Sequence, residues 1–192
     1  MFDFKRDFEI KDFYLKNFVS LTEVEARSVL EWRNHPEVRH QMYNEDCISG
    51  KEHLCFLESL EKRIDKFYWL VCKDGAGIGV IDIYNIKQLH KNVYFGIYAN
   101  PQAKLPGVGR CLDDISLYLL FEIAGFNALR LEVIETNKKV INMHYKMGFH
   151  EEGILRDFVY KCDGWRNVLV MSQLKYEWKK RKTNINNSRS IG

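Results

Sequence analysis

The stretch from Tyr94 to Gly125 constrains this chain more than any other. It reads as a strand, a loop and a helix in immediate succession. Tyr94, Phe95, Ile97 and Tyr98 are bulky and β-favouring, and Asn100-Pro101 stops the run. Lys104, Gly107 and Gly109 follow at K-x-x-G-x-G spacing. Leu112, Ile115, Leu119 and Ile123 then recur at helical intervals, with Gly125 as the stop. Glycines at a helix start let the backbone approach an anion. The free N–H groups of the first turn and the positive end of the helix dipole then bind it. Two readings fit: a pyrophosphate cradle, or an ordinary glycine-rich turn before a surface helix.

The rest of the chain is organised around that unit. Its 192 residues suit one domain with a real core, here residues 1–178, followed by a basic, flexible tail at 179–192. A net charge of +3 is too small to argue for nucleic acid, and the absence of a long apolar run argues against a membrane partner. Five cysteines, odd in number and without C-x-x-C spacing, argue against a disulfide framework or a metal site and for a cytoplasmic setting. A first strand is expected at Tyr14–Ser20, after an N-terminal extension of a dozen residues. Thr22 with Glu25, and Ser49 with Glu52, are capping boxes that open two helices. Strands follow at Phe67–Cys72, Ile78–Ile86 and Asn92–Ala99, the first pair joined by a hairpin turn at Asp74-Gly75. A strand at Leu129–Ile134, a helix after Asn137 and a hairpin around Asp163-Gly164 complete the order βααβββαβαββ. Hairpins with one crossover unit predict an α+β fold whose mixed sheet is mostly antiparallel, with one parallel pair.

A second motif, Asn137–Phe149 (NKKVINMHYKMGF), follows the apolar strand at Leu129. Together the two motifs resemble the GCN5-related N-acetyltransferase (GNAT) superfamily. Its pattern is a [Q/R]-x-x-G-x-[G/A] loop opening one helix, and N-x-x-A-x-x-x-Y-x-x-x-G-F on the next. Lys104 stands where Gln or Arg is usual, and His144 where the tyrosine is usual, with Tyr145 one place later. The resemblance implies acetyl-CoA as cosubstrate and no metal. Its pantetheine arm would lie in a split between the strands at Asn92 and Leu129, bonded to backbone around Ile97, Tyr98 and Ala99. Its pyrophosphate would sit on Lys104, Gly107, Val108, Gly109 and Arg110, with Asn137 and Lys146 as further contacts. Pro106 has no N–H to give.

Acetyl transfer to an amine needs a neutral nucleophile, a stabilised carbonyl oxygen, and a proton for the departing thiolate. A backbone N–H near Tyr98 is suited to the oxygen. Tyr145 is the first candidate acid and His144 its rival; about 100° apart on a helix, they cannot face one point together. Glu132, an acid inside an apolar strand, is the first candidate base, because burial would raise its pKa. Asp82 is a weaker candidate of the same kind, and water or an acceptor phosphate is a third route.

For the acceptor, Trp32-Arg33-Asn34-His35-Pro36, Met42-Tyr43, Glu52-His53-Leu54-x-Phe56-Leu57 and Phe95-Gly96-Ile97-Tyr98-x-Asn100-Pro101 resemble the nucleotide-sugar acetyltransferases of pseudaminic acid synthesis. These act on the 4-amino group of a UDP-linked 4-amino-4,6-dideoxy sugar. The likeness implies a nucleotide-linked amino sugar as partner, with Arg33 and His53 on its nucleotide end and Tyr84, Asn85 and Tyr98 lining the cleft. A homodimer is compatible with it. Two other classes stay open: a polyamine or protein N-terminal acetyltransferase, and a non-catalytic CoA-binding module. Arg33, His35, Arg39, His40 and His53 outnumber Glu37, Glu45 and Asp46 in the segments walling the cleft, which favours an anionic acceptor.

Overall fold

The computed structural model describes the backbone of residues 2–189 and the side chains through Thr183. One eight-stranded sheet runs through the molecule in the order β1-β2-β3-β4-β5-β6-β8-β7. The strands are β1 (Phe8–Ile10), β2 (Phe13–Asn17), β3 (Phe67–Lys73), β4 (Ala76–Lys87), β5 (Asn92–Ala99), β6 (Ala128–Ile134), β7 (His150–Lys161) and β8 (Gly164–Leu174). Every neighbouring pair is antiparallel except β5 and β6, which the crossover helix α4 (Val108–Tyr118) makes parallel. This is the α+β architecture that the order of elements predicts.

The helices begin where the capping residues say they should. Thr22 caps α1 (Glu23–Asn34) and Ser49 caps α3 (Gly50–Leu60), each with both bonds of a capping box in place. Pro36 ends α1 and starts the single turn α2 (Pro36–Arg39). Helix α4 runs on through a π-helical turn, Leu119–Ile123, and stops at Gly125, whose φ of 76° favours glycine. Asn137 caps α5 (Lys138–Met147), and Gly148 at φ 91° ends it.

Three boundaries differ from expectation. The first strand stops at Asn17, where that side chain caps a 3-10 turn at Phe18–Ser20. The N-terminal dozen is part of the fold: β1 pairs with β2, and Phe4, Phe8 and Ile10 are buried. The expected tail begins inside α6 (Lys175–Arg189), where Trp178 is buried against Phe121; residues 190–192 lie outside the described residues. Interspersed charges hid the first segment and a polar, basic composition the second, because a few large apolar side chains suffice to dock a short element.

Strand alternation sorts the sheet into two faces. Trp69, Ile81, Ile83, Val93, Phe95, Leu129 and Leu131 pack with Leu112, Ile115, Met147 and Phe149 of the α4 and α5 side in the main core. Leu70 and Val80 pack on the opposite face with Val29, Trp32 and Leu60 of α1 and α3. By register, Tyr68, Asp82, Tyr84, Tyr94, Gly96, Tyr98, Arg130 and Glu132 also belong to this second face.

Candidate active site

The parallel pair is short. Strands β5 and β6 pair at Asn92↔Ala128, Val93↔Leu129 and Tyr94↔Arg130, and no further. Beyond that point β5 follows β4 as far as Ala99, and β6 follows β8 as far as Ile134. The two strands therefore splay, and the β5 edge from Phe95 to Ala99 faces a gap. Unpaired backbone groups beside a core need partners, and an extended amide-bearing arm supplies them as an added strand would. Ile97, Tyr98 and Ala99 all lie on this edge.

Helix α4 begins at the open end of the gap. Gly107 at φ 72° is its N-cap and offers no side-chain bond, so the N–H groups of Val108, Gly109 and Arg110 have no acceptor among the described residues. A Cβ on Gly109 would lie 3.1 Å from Met143 Sδ, so this glycine lets α4 and α5 meet closely. Between their ends is an open pocket of about 370 Å³ lined by Arg110, Lys139, Asn142, Met143, Lys146 and Met147. Three cations around a methionine-rich wall suit phosphates next to a flat apolar ring. Lys104 is exposed in the preceding loop. Asn137 spends its side chain on the Val140 N–H, which makes it a cap and not a pocket contact. The chain thus offers a diphosphate end and a strand-like slot in line, which fits acetyl-CoA.

The candidate acids are separated as the helix geometry requires. Ile141, His144 and Met147 form the buried face of α5, whereas Tyr145 is 44% exposed and donates its hydroxyl to Glu151 Oε2 at 3.2 Å. Tyr145 is thus turned away from the splayed strands. The apolar stripe of α5 falls on 141, 144 and 147, and the next residue is carried about 100° around. His144 is only 3% exposed and sits edge-on to Phe149, which in turn leans on Phe95 of β5. Its Nδ1 is 2.8 Å from Oδ2 of Asp113, a fully buried α4 carboxylate. The contact is close but not aligned as a hydrogen bond, and neither Asp113 oxygen receives one from elsewhere. Sequence reasoning missed Asp113; the only signal was an acid beside Leu112 on the apolar side of a helix. Tyr145→Phe is expected to leave turnover within about twofold, as for an ordinary surface substitution, which a thiol-release assay would check.

The second sheet face carries a row of polar and aromatic side chains. Tyr68, Tyr84 and Tyr98 have phenol pKa values raised above the ordinary value, chiefly by burial. Tyr43, from the segment between α2 and α3, reaches over to donate to Glu132 Oε2 at 2.7 Å. Glu132 is therefore half-buried and already engaged, not enclosed in apolar surroundings. Phe158 meets Tyr43 edge-on because β7 bulges between Leu155 and Val159, with Asp157 at φ 47° and its N–H bonded to Asn167 Oδ1. Tyr43 belongs to the resemblance through Met42-Tyr43, but its segment has no periodicity, so the contact with Glu132 was not legible in the sequence.

Arg33 is half-buried beside Tyr98. Its Nη2 donates to the Asn44 carbonyl at 2.9 Å, and its buried Nη1 has no partner. Two other expected acceptor residues lie elsewhere. His53 is buried with Nε2 3.0 Å from the Ala26 carbonyl, tying α3 to α1, and burial lowers its pKa. A neutral ring spent on a carbonyl is a helix–helix tie, not a phosphate ligand. Asn85 is exposed at φ 48° in the β4 bulge after Tyr84, which turns it out of the row.

Comparison with known proteins agrees with this geometry. Residues 17–150 match the family described as acetyltransferase (GNAT) domain. The acetyltransferase PseH of Campylobacter jejuni is 37% identical over 149 residues, covering 77% of this chain and 91% of that one. The crystal structure of Campylobacter jejuni N-acetyltransferase PseH in complex with acetyl coenzyme A superposes with a TM-score of 0.64 at 28% identity, over 84% of this chain and 98% of that one. Spermidine N-acetyltransferase from Vibrio cholerae, solved with CoA and spermine, shares the fold at a TM-score of 0.78 and 20% identity, over 88% and 99% of the two chains. With the splayed strands, the glycine-capped helix and the matched domain in agreement, this chain belongs to the GNAT acetyltransferase family and is an acetyl-CoA-dependent N-acetyltransferase.

Proposed function

We propose that the acceptor is a nucleotide-linked amino sugar, and that the acetyl group goes to the 4-amino group of a UDP-linked 4-amino-4,6-dideoxy sugar by direct transfer in a ternary complex. The observation that carries this reading is Arg33, a half-buried guanidinium beside Tyr98 whose forked charge is of the kind that suits a phosphate. Tyr98 and Tyr84 add flat faces of the kind that stack on a base or a sugar. Sequence identity leans the same way, at 37% over 149 residues to PseH against 24% over 105 residues to the spermidine N(1)-acetyltransferase of Escherichia coli.

In this reading acetyl-CoA supplies the acetyl group as a thioester. The N–H groups of Val108, Gly109 and Arg110 hold its diphosphate, and the β5 edge orients its arm. His144 gives the sulfur its proton, with Asp113 behind the ring to fix its orientation. A β5 N–H near Tyr98 receives the developing oxyanion.

A polyamine acceptor is the second reading, favoured by Asp82 and Glu132 lying among tyrosines on the same face. Free-thiol release with a UDP-4-amino-dideoxy sugar, spermidine and a basic N-terminal peptide separates the readings. Turnover with the sugar is expected; turnover with spermidine alone would reassign the acceptor. Arg33→Ala is expected to raise the acceptor KM about tenfold, the loss of one charged contact worth roughly 1.4 kcal/mol, with the acetyl-CoA KM little changed. Equal effects on both would count against this role.

A further inference from the structure

Asp82 lies in the middle of β4, and no hydrogen bond or ion pair among the described residues accounts for it. Its strand neighbours are Tyr68 on β3 and Gly96 on β5. Burial is the main influence on its carboxylate and Lys66 the only charge felt there, with no hydrogen-bond donor contributing. The residue is mostly buried but not fully enclosed.

Gly96 gives this carboxylate its place. A Cβ there would lie 2.6 Å from Asp82 Oδ1, so any side chain would push the acid away. The carboxylate instead rests against bare β5 backbone. Gly96 is two residues past Tyr94, the last β5 residue paired with β6. An arm bonded along the β5 edge brings its reactive end to this vertex, and Asp82 is the acid next to it.

The groups around it are unsuited to accept a proton. Tyr68 on β3, Tyr84 on β4 and Tyr98 on β5 all feel the Asp82 charge, and burial keeps each phenol protonated. Lys66, with Nζ 5.6 Å from the Tyr84 ring centre, and Arg33 beside Tyr98 are cations. Glu132, farther along towards Tyr84, already accepts from Tyr43.

We propose that Asp82 is the general base that deprotonates the acceptor amine, through the gap left by Gly96. The inference rests on the N-acetyltransferase activity and not on which amine is the acceptor. The acceptor arrives as an ammonium ion among tyrosine faces and passes one proton to the Asp82 carboxylate, which releases it to solvent. The freed lone pair forms the C–N bond as the C–S bond breaks. The nitrogen then loses a second proton, which balances the proton gained by the departing sulfur. Burial pushes the Asp82 pKa up to about 6, so the group is a stronger base than an exposed aspartate yet ionised at neutral pH.

The test uses the full chain, acetyl-CoA, and whichever of the UDP-amino sugar or spermidine the wild type acetylates. Asp82→Asn is expected to lower kcat/KM at pH 7 by about 100-fold while leaving acetyl-CoA binding within about twofold. The deficit should shrink by about tenfold per pH unit as free amine accumulates, which a purely structural role would not produce. A variant within about threefold of wild type, or a deficit equal at every pH, overturns the assignment. The wild-type profile needs no variant: an acid limb near pH 6 supports it, and a flat line from about pH 5 to 7 overturns it. If spermidine is acetylated and the sugar is not, the acceptor reading fails while the Asp82 test proceeds unchanged.

Discussion

His144→Leu is expected to destabilise the protein by about 3 kcal/mol, the cost of leaving a buried acid without the imidazole that faces it. Asp113 is fully buried in the main core side of α4, and neither of its oxygens has another donor among the described residues. Leucine would fill much of the space left by the ring and would keep the contact with Phe149, so little of the loss should come from packing. For a chain of this size that corresponds to a fall in Tm of roughly 6–12 °C. The double variant His144→Leu/Asp113→Leu removes the orphaned carboxylate and should recover most of the loss. Turnover should fall in both variants by about 100-fold, because both lack the proposed proton donor. Melting curves with thiol-release rates separate the two roles. A double variant as unstable as the single one would show that Asp113 is not the source of the cost. Full activity in a stable double variant would remove His144 from the reaction.

Gly79→Ala is the second large effect. A Cβ at this position would lie 2.6 Å from both Leu112 Cδ1 and the Tyr98 carbonyl oxygen, and 3.1 Å from the Ala99 Cα. Leu112 is fully buried and two of the three contacts are backbone, so the strands themselves must move. Overpacking of this kind costs about 2 kcal/mol. The displaced segment, Tyr98–Ala99, is the end of the β5 edge that faces the splay. Acetyl-CoA affinity should therefore fall about tenfold, or roughly 1.4 kcal/mol, alongside the lower Tm. Calorimetric titration with CoA reads this directly. An unchanged dissociation constant and an unchanged melt would mean that α4 yields and β5 stays in place.

Much of the fold was legible from local chemistry. Capping boxes at Thr22 and Ser49, the prolines at 36 and 101, and glycines at 75, 125 and 148 act within a few residues, so each boundary they set could be read in order. The K-x-x-G-x-G loop was legible for the same reason: a glycine N-cap in front of an apolar helix makes an anion site from consecutive backbone groups. The short N-terminal strand and the C-terminal helix were not legible. Their docking depends on a few apolar side chains whose partners are remote in sequence, such as Trp178 against Phe121.

The catalytic candidates divide along the same line. The sequence by itself determined that a strand–glycine loop–helix unit exists and that His144 and Tyr145 must face different ways. Only the tertiary structure decided which one faces inward, because that depends on the side of α5 that meets α4 and the sheet, where Asp113 lies. Likewise Asp82 and Glu132 look alike as acids within apolar strands. Their difference comes from what lies across from each: a side-chain-free glycine for Asp82, and a tyrosine hydroxyl carried in from the α2–α3 segment for Glu132. Solvation and partners in three dimensions, not residue type, set which of the two acids is left free.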